Sequence, residues 1–400
     1  MTAPLNYSHL PLKTLAAPLA LGVLLSAPLA KASDDPPMMA SMHAMDHGPM
    51  DHGGNHGAGM DAMNMGPPPP ASLNWTTVAG AGQFMLGYTP TFMGMSGNYI
   101  GTSKLSDSEI ATTIPSGQSH SMTMMGKTTT MPTMLRIVPD SMDVQMHMFN
   151  AMYGVTENLT IMAMTSYVVK SMSMTTFKGM MGSTVLGTSS GTTDGLGDSM
   201  VGVNYRVYHD AINSVVAGLN LTLPTGSATR QITMLSPMGS YMLMRAPYGM
   251  QTGSGSVSLV PSLAYSGHLG RWSWGLAYRG FYPMDYNSEG YRWGALSEFH
   301  GWGGYTLFPN ITTTLHVVGS TQDHISGKDA QIYGLSQNAN PLYYGGQKVR
   351  LLGGVEIGGG MWGYAKSSIS VEAGGPIYQS LNGPQLGESW QVTVSGRVMF

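Results

Sequence analysis

From about residue 84 to the last residue, apolar side chains recur at every second position, and this alternation restricts the chain to an all-β fold. At the C-terminus Trp390, Val392, Val394, Val398 and Phe400 alternate with Ser389, Gln391, Thr393, Ser395, Arg397 and Met399. Successive residues of a strand point to opposite faces, so such a segment has one apolar and one polar side. Val201, Val203, Tyr205 and Val207 repeat the pattern, as do Trp272, Trp274, Leu276, Tyr278 and Tyr282. Segments of this kind predict about twelve strands, near 84–95, 145–154, 158–169, 198–208, 213–223, 256–266, 271–282, 292–305, 311–320, 349–359, 368–377 and 389–400. Each is near the ~9–11 residues that a tilted membrane strand needs. Long Gly/Ser/Thr-rich stretches (96–144, 170–197, 224–255, 321–348, 378–388) alternate with brief turns at 155–157, 209–212, 267–270 and 306–310, and one loop of middling length spans 283–291.

Composition decides between a soluble and a membrane-embedded β-fold. Only 10% of residues are charged and 54 are Gly, which is poor material for a watery surface. It suits a wall with lipid on one side and a solvated lumen on the other. Aromatics of the apolar phase gather near strand ends (Trp272, Trp274, Tyr282, Trp293, Tyr305, Trp390, Phe400), the expected place for interfacial girdles. The expectation is therefore a transmembrane antiparallel β-barrel in the outer membrane of a Gram-negative bacterium. Long outer loops, short periplasmic turns and both termini in the periplasm complete it. A formal net charge of -3 leaves no basic surface for nucleic acid. The absence of cysteine excludes disulfides, thiolate metal sites, iron–sulfur ligation and a lipidated N-terminal Cys.

Upstream of the strands the chain divides into two further parts. Residues 1–32 have the form of a signal peptide: Lys13, an apolar run from Leu15 to Leu29 broken by Pro18 and Pro28, and the small-x-small site Ala30-Lys31-Ala32. Residues 33–71 form a low-complexity tail, expected to be disordered and periplasmic, and residues 72–400 form the barrel. The tail gathers Met38, Met39, Met42, His43, Met45, His47, Met50, His52, His56, Met60, Met63 and Met65. Thioether sulfur selects Cu(I) and Ag(I), and imidazole accepts several transition metals. No cofactor is required by this reading, but the tail is a candidate Cu(I)/Ag(I) scavenger. The chain contains 36 Met in 400 residues.

The stretch GLGDSMVGVNYRVYHDAINSVVAGLNLTLPTGS (195–227) resembles a segment of the outer-membrane transporter family named for the meta-pathway of phenol degradation. Its markers are Gly197-Asp198 opening one strand and Leu223 to Gly226 closing the next. Segments 248–267, 272–275, 287–294 and 374–390 resemble a Met-rich branch of that family. The resemblance covers most of the chain after about residue 82. It implies transport of small, often hydrophobic compounds and carries no catalytic signature.

Strand phase also nominates lumenal side chains. Met85, Met93 and Met95 oppose the phase of Phe84, Leu86, Tyr88 and Phe92, and Met162 and Met164, with Met172 and Met174, share phase with Thr160, Ser166 and Lys170. Met146 and Met148 lie between Gln145, His147 and Phe149, which leaves their face ambiguous. Arg206, Arg279, His316, Arg350, Glu356, Glu372 and Arg397 fall on the polar face, where mutual pairing is expected because a buried charge needs a partner or water. Gly187-Thr188-Ser189-Ser190-Gly191 matches the hydrolase nucleophile pattern, without the strand-turn-helix that the pattern requires. Three functions follow in order of preference, none of them needing nucleic acid. The first is an outer-membrane channel, in contact with lipid, whose tail handles copper or silver. The second is an uptake route for hydrophobic or aromatic small molecules with an incidental tail, and the third, weakest, is a barrel enzyme acting on lipid.

Overall fold

The computed structural model describes residues 69–124 and 127–400. The signal peptide expected over 1–32 and the tail residues up to 68 lie outside the described residues. Eleven strands form the wall: β1 (Phe84–Gly101), β2 (Ile137–Gly154), β3 (Leu159–Phe177), β4 (Ser199–His209), β5 (Asn213–Leu223), β6 (Ser258–Leu269), β7 (Trp272–Pro283), β8 (Leu296–Phe308), β9 (Ile311–Gln322), β10 (Gly346–Gly358) and β11 (Ser367–Met399). Each pairs antiparallel with the next, and β11 pairs back onto β1, which closes the ring. Closure leaves the sheet with no free edge, as a wall in hydrocarbon requires.

Strand direction must alternate around an antiparallel ring, so an odd number of straight strands cannot close it. The long final strand resolves the difficulty. Leu381 pairs both with Gly346 of β10 and with Gly101 of β1, whereas Ser368 and Met399 meet Gly358 and Met85 at the opposite end. β11 thus rises to Leu381 and returns, and its two arms bring the wall to the even number of staves that alternation predicts. The loop expected at 378–388 is instead a tight reversal inside a continuous ladder.

Alternation sets the two faces. On β7, Trp272 and Leu276 are each 61% exposed while Ser273 and Ala277, one residue on, are buried. The exposed band of Leu, Val, Phe and Tyr would be an enormous apolar patch in water. In lipid it is the natural outer surface. Trp272, tilted against Tyr305 at a ring-centroid distance of 4.7 Å, and Trp390 and Phe400 lie on this face. Trp293 does not. It packs edge-on against Tyr344 in a loop cluster, because its segment has already left the wall. No described helix is long and apolar enough to cross a membrane.

The first three strands run 18, 18 and 19 residues, well past the expected limits. They overshoot because each keeps a partner beyond the lipid band. β3 pairs with β4 only from Leu159 to Met164, and higher up it pairs with the strand Val185–Leu196. The long loops also hold ordered pieces where coil was expected: the helix α1 (Asp107–Thr113) with a Ser106–Glu109 capping box, a hairpin of Pro115–Met124 with Lys127–Met134, and a second of Gln231–Leu235 with Tyr241–Arg245. At the other end the turns are short. Between β8 and β9 the corner is made by Asn310 at φ 67°, a left-handed conformation that Asn tolerates better than most residues.

Candidate functional site: the barrel lumen

A segment with no strand periodicity enters the lumen from the short-turn end. Residues Ala71–Thr76 form a short 3-10 helix with Ala71, Leu73 and Trp75 buried. Leu73 and Trp75 pack on Ala264, Ala277 and Trp302 of β6, β7 and β8. Polar wall residues fasten the backbone. Asn204 Nδ2 donates to the Trp75 and Thr77 carbonyls at 2.8 and 3.2 Å, Ser72 donates through its N–H and hydroxyl to Glu372 Oε2, and the Ala79 N–H donates to Thr160 Oγ1. The Arg279 guanidinium covers the Trp75 ring at 4.9 Å. Below, Gly154 lets the chain pass: a Cβ there would lie 1.9 Å from the Gly80 carbonyl oxygen. Ala71, assigned from sequence to the tail, is thus part of an internal plug.

One side of the lumen is ionic. Arg279 pairs with Glu298 at 2.8 Å, Arg350 with Glu388 at 2.8 Å and with Glu298 at 3.8 Å, Lys348 with Glu388 at 3.4 Å, and Arg397 with Glu356 at 2.6 Å. His316 Nδ1 meets Glu372 Oε1 at 2.5 Å while its Nε2 faces His300 Nδ1 at 3.2 Å. The polar chain therefore runs from His300 through His316 and Glu372 to Ser72 of the plug. Positive and negative groups alternate so closely that the wall presents little net field. A small polar cavity of about 100 Å³ remains beside Glu298, Lys348, Arg350 and Gln385. Arg206 lies near the short-turn rim in the inward phase and makes no ion pair among the described residues. Glu298, His300 and Glu388 were not singled out from sequence. Glu298 and His300 flank the exposed Phe299, so their phase was readable, whereas Glu388 lies beside the reversal where the phase breaks.

The opposite side is lined with methionine. Strand register sets Met399, Met85, Met152 and Met162 side by side across four adjacent staves near the short-turn end. Met164 pairs with Met200 one level up, Met148 and Met146 occupy the next two levels with Met93 above them, and Met95, Met142 and Met172 form another continuous rung. Met142 and Met152, buried at the same parity, fix the inward face of Met146 and Met148, while Phe149 and Tyr153 point to lipid. Every methionine on the barrel strands takes the inward phase. The lipid face of β1, β2 and β3 uses Phe, Leu, Tyr, Ile, Val and Ala instead, and holds a shallow depression of about 840 Å³ over Ala151 and Ala163.

Loops close the upper end. Lys170, on the inner face of β3, donates to the Gly249 and Gln251 carbonyls at 2.9 and 2.6 Å, and Gln337 donates to Asn98 of β1 at 2.6 Å. Met234, Met250 and Met244 of the 231–250 loop descend onto Met172, Met174, Met142 and Met95. Above them Tyr248, Tyr291, Ile325 and Ile332 form a second buried layer, and burial pushes the phenols of Tyr248, Tyr291 and Tyr344 up, so they stay neutral. Plug residues thus pack into the lumen at one end and loop residues at the other.

The tail ligands Met38, Met39, Met42, His43, Met45, His47, Met50, His52, His56, Met60, Met63 and Met65 lie outside the described residues. Among the described residues, no group of three or more His, Asp or Glu could hold a metal ion. The Gly187–Gly191 pattern lies on the strand Val185–Leu196 with Ser189 buried and no helix following, so it forms no nucleophile elbow.

No protein-family model and no curated protein sequence matches the chain. Among solved structures it is similar to an outer-membrane channel from Pseudomonas putida F1, at 14% identity and a TM-score of 0.50, over 82% of this chain and 98% of that one. It is also similar to the P. putida toluene transporter TodX, at 11% identity and TM-score 0.39 over 83% and 92% of the two chains. The Ralstonia pickettii toluene transporter TbuX matches at 11% identity and TM-score 0.35 over 80% and 90%. The fold shared with the first of these is a closed antiparallel β-barrel.

Proposed function

We propose that the protein is an outer-membrane channel for small hydrophobic or aromatic molecules, held closed at rest by its plug and lid. The carrying observation is the two-sided lumen: a methionine wall runs unbroken between the two closures, facing charges that neutralise one another. An uncharged, polarizable solute gains dispersion and sulfur–aromatic contacts along such a wall. An ion finds no uniform field to follow. The likeness of 195–227 to a family of small-compound transporters supports the same reading. Copper or silver handling by the tail is a second reading, supported by the donor set from Met38 to Met65.

Uptake of labelled toluene and of arabinose into proteoliposomes tests the first reading. Wild-type protein should carry toluene and exclude arabinose, and Met148→Asp with Met164→Asp should slow toluene by about tenfold or more, since an unpaired carboxylate on an apolar path costs several kcal/mol. Arabinose permeation at the toluene rate, or toluene uptake indifferent to the aspartates, would overturn it.

A further inference from the structure

Methionine and leucine have nearly the same size and hydrophobicity, and either can fill a core. A chain rich in Met for reasons of packing alone would therefore use it on both faces of its wall. Here the lipid face, where apolar residues are in greatest demand, has none on any barrel strand, and the lumen has them all. The property that separates Met from Leu is the thioether, a neutral soft donor on a flexible arm.

The thioethers converge most densely under the lid. Met95, Met142 and Met172 are direct neighbours across β1, β2 and β3, with Met174 one inward position above. Cross-strand neighbours hold their Cβ atoms ~5 Å apart, within which long side chains can turn their sulfurs to a common centre. Met234 and Met250 close over them from the loop, with Ile137, Ile232, Ala246 and Leu386 completing the apolar surround, while the Lys170 ammonium one inward position below Met172 is held by the Gly249 and Gln251 carbonyls. Hard divalent cations, which need oxygen, have no purchase there. A soft monovalent cation does, because neutral sulfur ligands replace its hydration without requiring a buried counter-charge. Asn338 Nδ2 already donates to Met172 Sδ at 3.1 Å, so this sulfur presents its lone pairs to the loop side.

We propose that this cluster is a binding site for Ag(I) or Cu(I), built jointly by the wall and the lid, so that occupancy ties the 231–250 loop to β1–β3. The site uses no residue of the tail and lies at the lid end of the methionine wall. Its test uses the full chain in detergent, chloride-free, with Ag⁺ as the probe and K⁺ as the control. Hydrogen exchange of residues 231–250 is measured for wild type and for Met142→Leu/Met172→Leu/Met174→Leu, which keeps volume and apolarity. Ag⁺ in excess of its Kd should slow exchange of this loop by about tenfold or more in wild type and leave the triple variant unchanged. Both proteins should remain heat-modifiable on unboiled gels, which separates failure of the site from failure of the fold, and the exchange is read with no organic solute present, so its outcome is independent of the uptake reading. Equal slowing in both proteins, or silver bound with no slowing in wild type, would assign the metal to the tail and overturn the proposal.

Discussion

Arg397 joins three parts of the molecule. Its guanidinium donates to Glu356 Oε1, to Ser368 Oγ at 2.7 Å and to Asn74 Oδ1 of the plug at 3.4 Å, so one side chain of the returning arm of β11 holds β10, the rising arm and the plug together. Both members of the ion pair are largely buried, with side-chain exposures of 14% and 4%. Removing one partner of such a pair strands the other charge, whereas replacing both with apolar groups of like size removes the desolvation cost as well. Arg397→Met should therefore destabilise the barrel by roughly 3–5 kcal/mol, and Arg397→Met with Glu356→Leu should recover much of that loss. Urea unfolding followed by tryptophan fluorescence in detergent checks it. A double variant less stable than the single one would show that the plug contact, not the charge, carries the effect.

At the scale of elements, α1 is where pH should be felt. Burial, followed by the nearby charge of Asp140 and its hydrogen bond, pushes the Asp107 carboxyl up from the usual carboxylate range. The folded state thus disfavours ionised Asp107. The packing of α1 is at full strength below the ordinary Asp value of ~3.9 and weakens as pH rises through the raised one. Protection of the 107–113 amides, corrected for intrinsic exchange, should be higher at pH 4 than at pH 7, and Asp107→Asn should abolish the difference. The helix was not readable from sequence, being short and set in a Ser/Thr-rich loop, although its Ser106–Glu109 box is a recognisable start. The wall strands were readable because lipid and lumen impose opposite chemistry on alternate residues, as Trp272 to Ala277 illustrate. Strand ends were not, since beyond the lipid band Ser, Thr and Met satisfy either environment. The reversal at Leu381 hid among residues that keep their ladder partners on both arms. The inward face of Met146 and Met148 became clear only once Met142 and Met152 were seen buried.

On the scale of the whole molecule, the plug is the part that local pattern could least reveal. Residues 71–80 have no periodicity, and their burial comes from being surrounded by strands hundreds of residues away, such as Glu372 beneath Ser72 and Ser395 beside Asn74. Excising residues 71–80 should leave a heat-modifiable barrel, since the ring's own ladder is intact without them. Its planar-bilayer conductance should rise several-fold over wild type. Unchanged conductance would place the constriction in the lid alone. The same geometry bears on the order of assembly. The ring is completed where Met85 meets Met399, a contact between strands from opposite ends of the sequence, so closure must wait for the final arm of β11. The plug is continuous with one lip of that junction. If the lips zip together around it, it is enclosed without any threading, and the first part of the wall domain to be translated becomes the part that the last-made residues seal in.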